Sequence, residues 1–115
     1  MSAITTHVLD IARGRPAGGV PVVLEILSPE GGAWKEMGRG VTGADGRLDA
    51  LLAAGSTLAA GAYRLIFDTA AYFQSQNMDG FYPQVTVVFT VRHPAEHHHV
   101  PLLLSPYGYS TYRGS

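Results

Sequence analysis

His97-His98-His99-Val100-Pro101-Leu102-Leu103-Leu104-Ser105-Pro106-Tyr107-Gly108-Tyr109-Ser110-Thr111-Tyr112-Arg113-Gly114-Ser115 reads as a strand, a tight turn and a second strand that continues to the last residue. Successive side chains of a strand point to opposite faces. Val100, Leu102 and Leu104 therefore share one face, and His99, Pro101 and Leu103 share the other. The first set is the candidate interior. The second carries an imidazole on a surface that is itself apolar, and an apolar outer surface calls for a partner subunit. Most chains finish in a few loosely held polar residues; a patterned C-terminal stretch ties that end of the chain to function.

Working back toward the N-terminus, the same punctuation recurs: short runs rich in β-branched and aromatic residues, divided by Gly, Pro and Asp. Ile4 to Asp10 alternates, with Thr5, His7 and Leu9 on one face and Thr6 and Val8 on the other, and Arg13-Gly14-Arg15-Pro16 ends it. Val20 to Leu27, Trp34 to Gly40, Arg47-Leu48 after the Ala44-Asp45-Gly46 turn, Ala62 to Phe67, Gln84 to Val91, His97 to Leu104 and Tyr107 to Arg113 follow. This predicts an all-β sandwich of about eight strands. One short helix is expected over Asp68 to Gln76, where Asp68 offers an N-cap. The alanine-rich Asp49 to Ala60 is read as a loop because Gly55 and Gly61 interrupt it.

With 115 residues the chain is expected to form a single domain, 1–115, at a size where a quaternary interface adds useful burial. A formal net charge of -1 and 15% charged residues provide no footprint for nucleic acid or an anionic membrane. The absence of cysteine excludes a disulfide scaffold and a thiol nucleophile, and favours a reducing compartment. Met1 to His7 has neither the basic nor the apolar segment of a signal peptide, and no apolar run approaches the roughly 20 residues that span a bilayer. The expected setting is cytoplasmic and the expected partner a small molecule or another protein.

The histidines are the candidate chemistry. His97, His98 and His99, with His93 nearby, suggest a metal, but an extended chain turns His97 and His99 one way and His98 the other, and Pro94 opposes a helix that would align His93 with His97. A zinc ion would need further ligands from His7 or a carboxylate. No metal site is expected, and His93 and His97 are expected to tolerate alanine. His7 and His99 both project from the outer faces of their strands. Tyr112 joins them if the strands are neighbours, because Ser110, Tyr112 and Gly114 share one face, opposite Thr111, Arg113 and Ser115. Arg47 offers a planar fork able to hold a carbonyl or developing oxyanion.

Thr6-His7-Val8-Leu9-Asp10, Asp45-Gly46-Arg47, Phe81-Tyr82-Pro83, and His99-Val100-Pro101-Leu102-Leu103-Leu104-Ser105-Pro106 closed by Tyr112-Arg113-Gly114-Ser115 resemble the 5-hydroxyisourate hydrolases, the transthyretin-related enzymes of purine catabolism. The resemblance covers essentially the whole chain, and its most specific element is the final tetrapeptide. It implies a two-sheet transthyretin-like sandwich assembled as a homotetramer, a dimer of dimers, around a central channel that holds the sites. Carried over by position, the implied catalytic residues are His7, Arg47, His99 and Tyr112. The implied substrate contacts are His7, Arg47, Tyr112, Arg113, Gly114 and Ser115. At residue 98 the family often has tyrosine where this chain has His98. The implied reaction is hydrolytic opening of the six-membered ring of 5-hydroxyisourate, with no metal or organic cofactor. It leaves open which histidine is the base. The competing readings are a non-catalytic carrier of small ligands and an interaction module without a pocket.

Overall fold

The computed structural model describes residues 3–53 and 55–115. The Met1-Ser2 portion of the N-terminal reading, and Ala54 in the expected loop, lie outside the described residues. Two sheets face each other. The first is built from β1 (Ile4–Asp10), β2 (Arg15–Pro16), β5 (Arg47–Leu48), β8 (His98–Ser105) and β9 (Gly108–Thr111). It runs β2-β1-β8-β9, with β5 also paired to β1. The second comprises β3 (Pro21–Leu27), β4 (Trp34–Val41), β6 (Gly61–Phe67) and β7 (Val85–Val91), in the order β4-β3-β6-β7.

The alternation read from the sequence decides what lies between the sheets. Ile4, Val8, Leu102 and Leu104 from the first sheet meet Val22, Leu24, Tyr63, Leu65, Phe67 and Val85 from the second, all fully buried. Thr6 belongs to the same interior face, and its hydroxyl is satisfied by donating to the Val100 carbonyl at 2.6 Å. Strand limits differ from expectation by a residue at most ends, as frayed ends do. Two differences are larger. Arg15–Pro16 does not simply end β1 but folds back to pair with it, Leu9 opposite Pro16. The last strand is shorter than Tyr107 to Arg113, stopping at Thr111, and a single bridge resumes the pairing at Gly114.

Helix α1 (Thr69–Ser75) begins where its cap predicts: the Asp68 carboxylate accepts from the Ala71 amide at 3.0 Å. It buries Tyr72 and Phe73, and Tyr72 reaches β1 by donating its hydroxyl to Asp10 Oδ2 at 2.6 Å. Burial first, then this bond to a carboxylate, pushes the phenol up to about 12. Asp10, 1% exposed, is satisfied by this bond at Oδ2 and by the Arg13 amide, which donates to Oδ1 at 3.1 Å. Between β5 and β6 the described residues form neither helix nor strand, as expected, and Leu51 and Leu58 anchor them in the core.

Candidate active site

The site exists because β1 and β8 run side by side in parallel. That register sets Thr5 opposite His99 and His7 opposite Pro101. On the other edge of β1, β5 sets Arg47 opposite His7. Three segments remote in sequence thereby present their polar residues to one side of the sheet, away from the core. There Thr5, Arg47, Asp49, His97, His99 and Ser115 line a cavity of about 230 Å³.

The hydrogen bonds fix much of the proton placement. His7 Nε2 lies 2.8 Å from the Asp45 carbonyl oxygen, which only accepts, so Nε2 carries a proton and Nδ1 is the basic nitrogen of the neutral ring. The Asp45 side chain meanwhile accepts from the Arg47 amide at 3.0 Å. One tight turn thus orients both His7 and Arg47. Gly46 makes the turn possible: its φ is +78°, and a Cβ there would overlap the Val8 carbonyl and stand 3.2 Å from His7 Cδ2.

His99 Nδ1 lies 2.7 Å from Thr5 Oγ1, which leaves Nε2 as the ring nitrogen available to a ligand in the cavity. Its pKa is lowered, first by burial and then by the positive charge of His97, Arg47 and His7; Asp49 opposes them. A half-buried imidazole held neutral in this way is prepared to accept a proton.

The C-terminal segment closes the cavity. The Gly114 amide donates to the His99 carbonyl at 2.8 Å, and a Cβ on Gly114 would lie 2.6 Å from His99 Cδ2. Only glycine lets the chain pack flat on that ring. Arg113 fastens the segment to the start of β8, pairing with Glu96 at 3.3 Å and donating to the His97 carbonyl at 3.3 Å.

The expected residues therefore divide. Arg47, His99 and Ser115 line the cavity, Gly114 supports it, and His7 stands beside it, half-buried on the face it shares with Thr5. Tyr112 and Arg113 do not join them within one chain. Their side of the sandwich edge carries a second cavity of about 290 Å³, shared with Phe89, Arg92, His98 and Val100. The strand pairing lapses at Tyr112 and Arg113, so the alternation that would have aimed Tyr112 at the histidines is not maintained. His98 points inward, as its position requires, with Nδ1 buried and unpartnered; burial, then the Arg113 charge, lowers its pKa.

Sequence reasoning passed over Thr5, Asp49 and His97. His97, expected at the margin of the strand and dispensable, lines the cavity, bonds Thr5 Oγ1 through Nε2 at 2.9 Å and stacks on His99 with ring centres 6.1 Å apart. The signal was the alternation that puts His97 and His99 on one face. Asp49, two residues past Arg47, had no comparable mark. Among the described residues no group of three or more His, Asp or Glu side chains is arranged to hold a metal ion.

This combination, a transthyretin-type sandwich with an imidazole and guanidinium cavity on its outer face, agrees with the comparisons. The HIUase/Transthyretin family model matches residues 4–114. A 5-hydroxyisourate hydrolase of Salmonella typhimurium is 48% identical over 112 residues, spanning 97% of this chain and 80% of that protein. The 5-hydroxyisourate hydrolase of Mus musculus is 46% identical over 114 residues, 99% of this chain and 96% of that one. Among solved structures, Klebsiella pneumoniae 5-hydroxyisourate hydrolase superposes with a TM-score of 0.82 at 36% identity, covering 97% of this chain and 98% of its own. Sea bream transthyretin in complex with thyroxine superposes with a TM-score of 0.88 at 34% identity, covering 97% and 94%. The chain belongs to the HIUase/Transthyretin family.

Proposed function

We propose that this protein hydrolyses 5-hydroxyisourate to 2-oxo-4-hydroxy-4-carboxy-5-ureidoimidazoline in urate degradation. The observation that carries the reading is the convergence of Arg47 and a neutral-leaning His99 on one small polar cavity. The similarity to hydrolases of this name along nearly the full chain supports the same substrate. Ring opening is amide hydrolysis at an activated carbonyl. It needs a base for water, a donor for the oxyanion and a proton for the departing nitrogen. His99 Nε2 takes the proton from water as the new C–O bond forms. The Arg47 guanidinium holds the oxyanion, and the protonated imidazole returns its proton to the ring nitrogen as the C–N bond breaks. His7, bonded to the turn that carries Arg47, orients the substrate and shares the proton network.

Arg113 and Gly114 hold the C-terminal segment against His99, and Ser115 forms one wall of the cavity. Tyr112, exposed on the β9 side, acts as an orienting group in the assembled protein, which we take to be a homotetramer, a dimer of dimers, with its sites along a central channel. Strands β7 and β9 are sheet edges, and Phe81, Tyr82 and Tyr109 form an exposed aromatic cluster with ring centres 4.9 and 5.2 Å apart. Exposed edges and aromatic clusters of this kind are suited to burial against further copies. A cytoplasmic setting fits the cysteine-free composition.

The deciding experiment generates 5-hydroxyisourate in place with urate oxidase and follows its ultraviolet decay. Acceleration by this protein is the expected result. Decay at the uncatalysed rate, with the ligand still bound, would identify a carrier instead. In the same assay Arg47→Lys keeps the charge but loses the planar fork, and we expect a loss in kcat of about 10-fold or more if both nitrogens hold the oxyanion. A rate within twofold of the parent would remove Arg47 from that role.

A further inference from the structure

Thr5 holds one hydroxyl between two imidazoles. Its Oγ1 lies 2.7 Å from His99 Nδ1 and 2.9 Å from His97 Nε2, with Thr5 itself 3% exposed on the strand directly opposite His99. A hydroxyl has one proton to donate and lone pairs with which to accept. When it donates to one ring it accepts from the other, so the two imidazoles cannot choose their tautomers independently. One of the rings, His99, is half-buried beside Arg47 and His7; the other, His97, is exposed to solvent.

We infer that Thr5 and His97 form a proton relay behind His99, so that the positive charge created in catalysis is carried to the solvent-exposed ring instead of remaining on the half-buried one. This rests on the hydrolase reading above. At the start, His99 Nδ1–H donates to Thr5 and the Thr5 hydroxyl donates to His97 Nε2. As water attacks the carbonyl carbon, its proton goes to His99 Nε2, the Nδ1 proton moves to Thr5 Oγ1, and the Thr5 proton moves to His97 Nε2. His99 is then neutral in its other tautomer, Thr5 is again a hydroxyl, and His97 is an imidazolium. When the C–N bond breaks, the nitrogen takes the proton from His99 Nε2 and each transfer runs in reverse, restoring the initial state. No proton is gained or lost over the cycle.

The reason for such a relay lies in the surroundings of His99. The groups facing it are His97 and Ser115 across the cavity, Arg47 on β5, His7 on β1 and Asp49 beyond β5. Burial first, and then the positive charge of His97, Arg47 and His7, work against a cation at His99, and Asp49 opposes them. Moving the charge one hydroxyl outward places it in contact with water, where an imidazolium is well solvated. His97 and Thr5 are positioning residues in this scheme; they act on the reaction only through His99.

The test compares the parent protein with Thr5→Val, Thr5→Ser and His97→Gln, each checked for fold by circular dichroism. Thr5→Val and His97→Gln should lower kcat about 10- to 100-fold with KM changed less than threefold, and Thr5→Ser should recover most of the rate. In mixtures of light and heavy water the parent kcat should fall along a curve, the mark of several protons moving together, and that of Thr5→Val along a straight line. Should Thr5→Val fail to fold, the comparison of His97→Gln with the parent decides the matter by the same two measurements. Independently of turnover, 15N chemical shifts should show the tautomers of His97 and His99 changing together when Thr5→Val removes the shared hydroxyl, and a Thr5→Val spectrum with both tautomers as in the parent would overturn the relay. A Thr5→Val or His97→Gln protein within twofold of the parent, or a Thr5→Ser protein as slow as Thr5→Val, would overturn the relay while leaving the hydrolase reading intact. A parent protein that does not accelerate the reaction overturns both.

Discussion

His99→Ala should reduce kcat for 5-hydroxyisourate about 100- to 10,000-fold, the range that a positioned general base supplies. His99 leaves one ring nitrogen to the cavity. Nδ1 is engaged by Thr5, so the loss of the ring removes Nε2 and with it the acceptor for the water proton. His7→Ala should fall in the same range, and the double variant should be little worse than either single one, because groups that act as one unit are not additive. His99 neutral is the active form, and its pKa lies below the usual histidine value. Activity should accordingly persist as pH falls past 6.5 and decline only below it, on a limb that disappears in His99→Ala. Steady-state kinetics across pH checks both statements. A double variant whose losses multiply would separate His7 and His99 into independent roles.

Removing Tyr112 to Ser115 should lower turnover more than 100-fold while leaving the circular dichroism spectrum unchanged. These residues are exposed or half-buried and add little to the core, so the sandwich does not depend on them. The cavity does. Without Gly114 the His99 backbone loses its bridge, without Ser115 one wall is gone, and without Arg113 the start of β8 loses the bonds at Glu96 and His97. Gly114→Ala reports on the same arrangement with a single methyl group, which cannot be accommodated unless His99 moves. A truncated protein that is folded and as active as the parent would show that the segment is an ordinary terminus.

How far the sequence foretold all this depends on the distance over which each feature is determined. Strand alternation is local, so the inward set Val8, Val100, Leu102 and Leu104 and the outward set His7, His99 and Leu103 were readable directly. The Asp68 cap was readable for the same reason. The fold class followed from the punctuation, and the particular architecture from the resemblance. The parallel pairing of β1 with β8 was not readable, since no turn joins them and no local chemistry fixes their register. Thr5 was overlooked as a consequence: threonine in a strand is unremarkable until His99 is set opposite it. The Asp10–Tyr72 bond, between residues 62 apart, was hidden in the same way. Within one chain Tyr112 does not reach the histidines for the opposite reason, a local rule applied where the strand had already ended.

The partnership of β1 and β8 also governs when the protein becomes itself. Thr5 emerges from the ribosome 94 residues before His99. All four strands of the second sheet lie between the two in sequence and pair antiparallel, so that sheet can assemble while β1 waits. Contacts closed over long stretches of chain form late, because their entropy must be surrendered before the contact is made. A free fragment ending at Val91 would carry every strand of the second sheet but only half of the cavity, and in refolding of the whole chain pulse-labelled amide exchange should find β6 protected before β1. The site is thus complete only once β8 has joined β1, and activity becomes a report that this long-range pairing has closed.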